Sequence, residues 1–296
     1  MDSKHTSCFN AHPNPKPKPK PNSEHILNEK MIMFSCTHPF ILEMVGAFQD
    51  SMHLYILLEL AHGGELFTLL RRKGTFAEPM ARFYSACVVS AFTTLHERSV
   101  AYRDLKLENL LLDAKGYVKM CDFGFAKVVE DRTWTLCGTP EYMAPEIICN
   151  VGHSMPVDWW ALGILVYEFI VGRTPFNADD PMSLYRLILK GNVTYPPHIS
   201  KKAKALIMNL LTSKPATRLG TLNQKDVVNH TFFKVVDFGQ LLKRKVKPPW
   251  APKVKNEKDI SAFGDVDPDN GLGHFHRPSW DMPVNEVEQI NFEGFS

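Results

Sequence analysis

The sequence lacks paired cysteines. Its six cysteines (Cys8, Cys36, Cys87, Cys121, Cys137, Cys149) are scattered, with no CxxC. That excludes a disulfide framework and a zinc ribbon, and fits reduced thiols inside a cell. A long hydrophobic run is also missing. The most apolar stretch, Trp159 to Val171, is too short for a bilayer and carries Glu168. Met1 to Asn10 has no apolar core of the kind a secretory signal needs. Charge of one sign is scarce too. A net charge of +2 offers little counterion release, which argues against nucleic acid as the main partner. The expected location is intracellular, in the cytoplasm with the nucleus also open. Finally, no glycine occurs between Met1 and Glu29, so those residues cannot supply a glycine-rich phosphate-binding turn.

What is present is enough apolar material for a packed core: 44% hydrophobic against 22% charged over 296 residues. Residues 1–22 read as a disordered leader, because Pro13 to Pro21 alternates proline with lysine or asparagine and favours extended polyproline II. A helix is expected from Ser23 to about Thr37, ended by His38-Pro39. Two strands follow, Ile41–Ala47 and Leu54–Glu59, with a polar turn between them. Gly63-Gly64 breaks the chain before a short helix, Glu65 to Arg72. The clearest helix starts near Pro79, with Met80, Phe83, Tyr84, Cys87, Val88, Ala91 and Leu95 on one stripe. A small hairpin is expected from Asn109–Leu112 and Tyr117–Cys121. Pro156 to Val171 is apolar on all sides and reads as a buried central helix. Further helices are expected at 180–190, 200–211 and 224–229, and an extended, surface-wrapping segment after Lys243.

The chemistry gathers in Tyr102-Arg103-Asp104-Leu105-Lys106-Leu107-Glu108-Asn109, followed by Asp122-Phe123-Gly124. Phosphoryl transfer asks for a group to orient the attacking hydroxyl, a cation beside the moving phosphate and hard oxygen ligands for magnesium. Asp104, Lys106, Asn109 and Asp122 supply these, and the hairpin between them would fold them into one site. The D-L-x-x-x-N spacing, the following D-F-G and the later Ala144-Pro145-Glu146 together resemble the protein kinase signature.

Within that family the chain resembles AGC-type serine/threonine kinases of the cyclic-nucleotide-dependent kind. Tyr102 in place of histidine, the segment Arg132 to Gly138 and the C-terminal Phe292-Glu293-Gly294-Phe295 carry this likeness. The resemblance implies an α+β, kinase-like fold with a mostly helical large lobe and a truncated, β-containing small lobe. Its parts would be a small-lobe remnant over residues 23–60, a large lobe over 61–243 and a tail over 244–296. ATP and Mg2+ are the implied cofactors. Asp104, Lys106 and Asn109 are the implied catalytic residues, and Asn109 and Asp122 the metal ligands. Glu59 to Ala61 would be the hinge for adenine, Leu111 the floor beneath it, and Glu29 the helix glutamate that pairs with a nucleotide-anchoring lysine.

The same likeness makes Thr135 the activation-loop phosphosite, with Arg103, Lys127 and His25 as phosphate ligands. Glu65, Glu108 and Glu168 would bind arginines preceding the target residue, and Leu136, Pro140 and Met143 the residue after it. Thr139 would bridge Asp104 and Lys106. Glu146 and Arg218 would form a structural ion pair, and Asp158 would hold the catalytic loop. Met33, Met44, Tyr102 and Phe123 would stack between the lobes. The expected partners are protein substrates with basic residues before the target, and a cyclic-nucleotide-binding regulatory subunit. The lysines before Glu29 are Lys4 and three in the proline run, none in a strand-like context. Two readings therefore stand: a basophilic kinase impaired in this form, or a non-catalytic interaction module.

Overall fold

The computed structural model describes residues 21–49, 53–256, 259 and 261–263, with side chains from Ile26 onward. The leader over residues 1–20, the turn at Asp50-Ser51, the Gly271-Leu272-Gly273 segment and the Phe292–Phe295 motif lie outside the described residues. Helix α1 spans Pro21–Ser35. Pro21 and Asn22, expected in the leader, form its first turn instead, where a proline loses no helical hydrogen bond. Strands β1 (Met44–Gln49) and β2 (Leu54–Leu58) pair antiparallel, Phe48 opposite Tyr55. Their rings stack at 4.7 Å.

Helices α2 (Leu66–Lys73) and α3 (Glu78–His96) lead to the short strand β3 (Val100–Ala101). Strands β4 (Leu110–Leu112) and β5 (Val118–Met120) make the predicted hairpin, and β6 (Lys127–Val128) pairs with β3. The hairpin is shorter than its apolar residues suggested, because Asn109 closes a 3-10 turn and the Cys121 N–H bonds back to its carbonyl at 3.0 Å. Helices α4 (Pro145–Ile148), α5 (Pro156–Val171), α6 (Pro181–Lys190), α7 (Lys201–Leu210), α8 (Lys225–Val228) and α9 (Phe238–Leu242) complete the regular elements.

The core is built around α5. Every residue from Val157 to Ile170 is buried, as expected for a helix without a polar face. Trp159 meets Phe92 of α3 edge-on, with ring centroids 5.7 Å apart. On the other side α7 comes so close that a Cβ at Gly163 would lie 2.8 Å from Leu211 and 3.0 Å from Leu210. Any larger residue there would push α7 away. One apolar cluster runs from Ile32 and Met33 of α1 through α3 and α5 to Phe232, Phe233 and Leu241.

The β1–β2 sheet joins this mass through its root. Leu42 N–H donates to Met120 O at 2.8 Å, and Met120 N–H donates to Phe40 O at 2.8 Å. Lys119 adds an ion pair to Glu59. Beyond that root, Val45, Phe48, Tyr55 and Leu57 are exposed. After α9 the chain runs without regular elements through Arg244 to Trp250. Arg244 pairs with Asp113, the Tyr117 hydroxyl donates to Val246 O, and the Arg72 guanidinium lies 5.6 Å from the Trp250 ring centroid. No helix among the described residues is long and apolar enough to cross a membrane.

Candidate active site

The site rests on α5. Asp158, fully buried, accepts the backbone N–H groups of Tyr102 (2.9 Å) and Arg103 (2.8 Å) and faces His96 Nε2 at 2.7 Å. Three partners on one carboxylate compensate its desolvation. They also hold Arg103 at φ 67°, a left-handed backbone that a non-glycine residue keeps when its surroundings impose it. Asp122 sits at φ 57°. These two strained residues bracket the candidate catalytic cluster.

Asp104, 2% exposed, lies at the centre. Its Oδ2 is 3.0 Å from Lys106 Nζ and accepts from Asn109 Nδ2 at 2.9 Å. Its Oδ1 accepts from the Thr139 hydroxyl at 3.3 Å. Asn109 Nδ2 also donates to the Asp104 backbone oxygen at 2.9 Å. Burial pushes the Asp104 carboxyl above its ordinary pKa, and the Lys106 ammonium opposes that rise. Asp122 Oδ1 accepts the Gly124 N–H at 3.1 Å. Thr139 reaches Asp104 because Gly138, at φ 98°, lets the chain pass the Arg103 carbonyl; a Cβ there would lie 2.8 Å from that oxygen.

Behind the cluster, Tyr102 and Phe123 meet edge-on at 5.2 Å, and Met33 and Met44 are buried in the same core. The Tyr102 hydroxyl donates to Cys121 O at 2.5 Å. Leu42, Ala61 and Leu111 form a separate small apolar cluster, with Cys121 and Phe263 packed on it. This cluster joins the segments before β1 and after β2 to the β4–β5 hairpin. Glu59, expected beside Ala61 at the hinge, donates its N–H to Glu43 O at 2.9 Å and pairs its carboxylate with Lys119.

Glu29 lies near the D-F-G segment. A Cβ at Gly124 would be 3.2 Å from Asp122 Oδ1 and 3.9 Å from Glu29 Oε2, so both carboxylates border the same spot. Burial first, then the Asp122 charge, pushes the Glu29 carboxyl up to about 7, against a hydrogen bond from the Phe123 backbone.

The expected substrate and switch residues divide into two surroundings. Glu168 is buried and accepts the Tyr142 hydroxyl, and burial raises its pKa. Glu65 bridges to Leu111 in backbone pairing, and Glu108 is exposed. Met143 is buried, Pro140 half-buried and Leu136 exposed. Thr135 is exposed. Lys127 Nζ donates to the Thr133 hydroxyl at 3.2 Å, and Arg103 Nε to Phe125 O at 2.7 Å. His25 belongs to α1, but its side chain is outside the described set. Glu146 and Arg218 make a buried bidentate pair at 2.7 and 2.9 Å.

Sequence reasoning missed Leu42, His96, Tyr142 and Phe263. His96 is the last residue of α3 and no local pattern marks it. Its pairing with Asp158, 62 residues away, is tertiary. Phe263 stands in a Pro, Gly and Asp-rich stretch with no periodicity to mark it.

Residues 9–233 match the protein kinase domain family. The chain is 48% identical over 242 residues to a cAMP-dependent protein kinase catalytic subunit of Dictyostelium discoideum, covering 81% of this chain and 37% of that protein. It is 45% identical over 276 residues to the human cAMP-dependent protein kinase catalytic subunit PRKX, covering 92% and 75%. Similarity extends to cGMP-dependent protein kinase isozyme 1 of Drosophila melanogaster, 46% identical over 246 residues, covering 81% and 32%. The chain thus spans well under two thirds of the Dictyostelium and Drosophila relatives. Family match and relatives agree with the D-L-x-x-x-N, D-F-G and A-P-E elements: the chain belongs to the protein kinases, in the AGC group of cyclic-nucleotide-dependent serine/threonine kinases.

Proposed function

We propose that this chain carries the phosphoryl-transfer site of a serine/threonine kinase that acts on basic protein segments. The convergence of Lys106, Asn109 and Thr139 on the one buried carboxylate of Asp104 carries this reading. Asp104 would accept the hydrogen bond of the attacking hydroxyl and orient it in line with the phosphate. Lys106 would neutralise charge on the transferring group, and Thr139 would hold the Asp104 rotamer.

The donor chemistry fits magnesium. With Asn109 Nδ2 committed to Asp104, its amide oxygen is the end left for a cation, and Asp122 adds a carboxylate. Two hard oxygen ligands suit an ion that completes its shell with water and phosphate oxygens. When bound, magnesium would offset charge on the phosphates of ATP. The Leu42, Ala61 and Leu111 cluster is the apolar surface on which an adenine ring would pack. Glu65, Glu108 and Glu168 would supply carboxylates for arginines of the substrate, and Leu136, Pro140 and Met143 a pocket for the residue after the target. A phosphate on Thr135, held by Arg103, Lys127 and His25, would order the activation segment. A cyclic-nucleotide-binding subunit is the expected regulator.

A second reading has its own observation. The Glu29 carboxylate lies beside Asp122 and takes a backbone N–H, where a nucleotide-anchoring lysine would otherwise meet it. This favours weak nucleotide binding and a role as an interaction module. Titration with Mg-ATP and phosphorylation of an arginine-rich peptide by this chain decide between them. Transfer lost in Asp104→Asn supports the enzyme. Absence of both nucleotide binding and transfer supports the module.

A further inference from the structure

Beside the catalytic loop lies a second polar cluster that the transfer chemistry leaves unused. The segments 150–154 and 131–137 are tied by a two-way backbone pair, Thr133 N–H to His153 O and His153 N–H to Thr133 O, both 2.9 Å. The Trp134 ring covers Gly152, where a Cβ would meet it at 3.0 Å. His153 is 4% exposed and Arg103 6%. Among the described residues, His153 Nε2 and Arg103 Nη1 are buried without a hydrogen-bond partner. An unsatisfied buried imidazole nitrogen and an unsatisfied buried guanidinium nitrogen are each costly. Found together, they mark a place where an acceptor is wanted.

Thr135 is bracketed by this cluster. Two residues before it, Thr133 pairs with His153 and accepts from Lys127. Two residues after it, Cys137 lies within electrostatic reach of both Arg103 and Lys127. We propose that His153 is a ligand of the phosphate on Thr135, with its Nε2 donating beside Arg103 and Lys127. The inference rests on the reading of Thr135 as a phosphosite and adds to it a residue from the loop before α5.

Electrostatics supports a coupled proton uptake. Burial, then the Arg103 charge, with Lys127 adding to it, holds the His153 imidazole down at about 4, while Glu146 and Asp158 pull the other way. Cys137 and Thr133 bring no charge while protonated. A phosphate carrying nearly two negative charges reverses the dominant field. His153 would then take a proton from solvent as the phosphate docks.

The test uses the full chain bearing phosphothreonine at residue 135, with phosphorus and histidine nitrogen NMR followed across pH. Wild type should show His153 neutral without the phosphate and protonated with it near neutral pH. A phosphatase should remove the phosphate about tenfold faster from His153→Asn than from wild type, the size of one charge-assisted hydrogen bond. An imidazole that stays neutral after phosphorylation overturns the proposal, even if His153→Asn fails to fold. Equal phosphatase rates in wild type and His153→Asn also overturn it, when Lys127→Ala is faster. Equal rates in all three, with a phosphate titrating as in a free peptide, instead defeat the Thr135 reading and this inference with it.

Discussion

The catalytic loop and the β1–β2 sheet are held by opposite means. The loop is over-determined. Asp158 takes two backbone donors and faces His96, Arg103 and Asp122 stand in left-handed conformations, and Glu146 is locked to Arg218. The sheet joins the core only at one end, through Met44, Ile56, two backbone bonds and one ion pair, with Val45, Phe48, Tyr55 and Leu57 open to solvent. Strain persists only where surroundings enforce it, so rigidity is concentrated in the loop. A two-stranded ribbon with one bare face is marginal by itself and leans on what packs against it. The contrast teaches where substitutions should be felt.

Four measurements would break or sharpen that contrast. The largest effect falls on chemistry. Asp104→Asn should lower peptide phosphorylation by about 10²–10⁴-fold, the scale of a positioned general base, with an unchanged thermal midpoint. Next comes the buried pair. Arg218→Ala leaves the Glu146 carboxylate stranded and should cost about 3–5 kcal/mol in urea unfolding, provided the transition is two-state. By contrast, Phe48→Ser in the sheet should change stability by less than about 1 kcal/mol. Its ring is half exposed and loses chiefly the stack on Tyr55. A loss as large as that of Arg218→Ala would show the sheet to be part of the cooperative core.

The smallest and most diagnostic effect is a pH slope. The Glu29 carboxyl, raised to about 7 in the fold from 4.5, binds its proton more tightly folded than unfolded. Its contribution to stability is therefore full below about 4.5 and is lost as pH rises through about 7. Glu29→Gln should gain stability relative to wild type at pH 7.5 and lose that advantage at pH 4.5, read as the shift in urea midpoint. A flat difference across this window would mean that Glu29 is already matched by a cation.

Much of the architecture was legible where one signal sufficed. The all-apolar Pro156–Val171 segment reads as a buried helix and is one, and the stripe from Met80 to Leu95 marks α3. The cluster around Asp104 was legible because its spacing is short and local. Hidden from view were groups whose partners are distant in sequence. His96 meets Asp158, and Phe263 meets Leu42, Ala61 and Leu111, through packing that no local pattern encodes. Arg103 and Asp122 stand out as candidates in the sequence, but the positive φ of Arg103 comes with a bond from its N–H to Asp158, 55 residues away. Pro21 and Asn22 were misread because a proline-rich composition argues for extended chain until the last proline becomes the first turn of a helix.

The passage from Arg244 to Trp250 has a practical consequence for anyone trimming the chain to its last helix. A version ending at Lys243 would keep Asp104, Lys106, Asn109 and Asp122. It would also strip the guanidinium from Asp113, bare the Tyr117 hydroxyl and uncover the turn at Gly116, where the Trp250 backbone now rests. Shortened in this way, the chain would look intact by its motifs and be loose at the hairpin that sets their spacing.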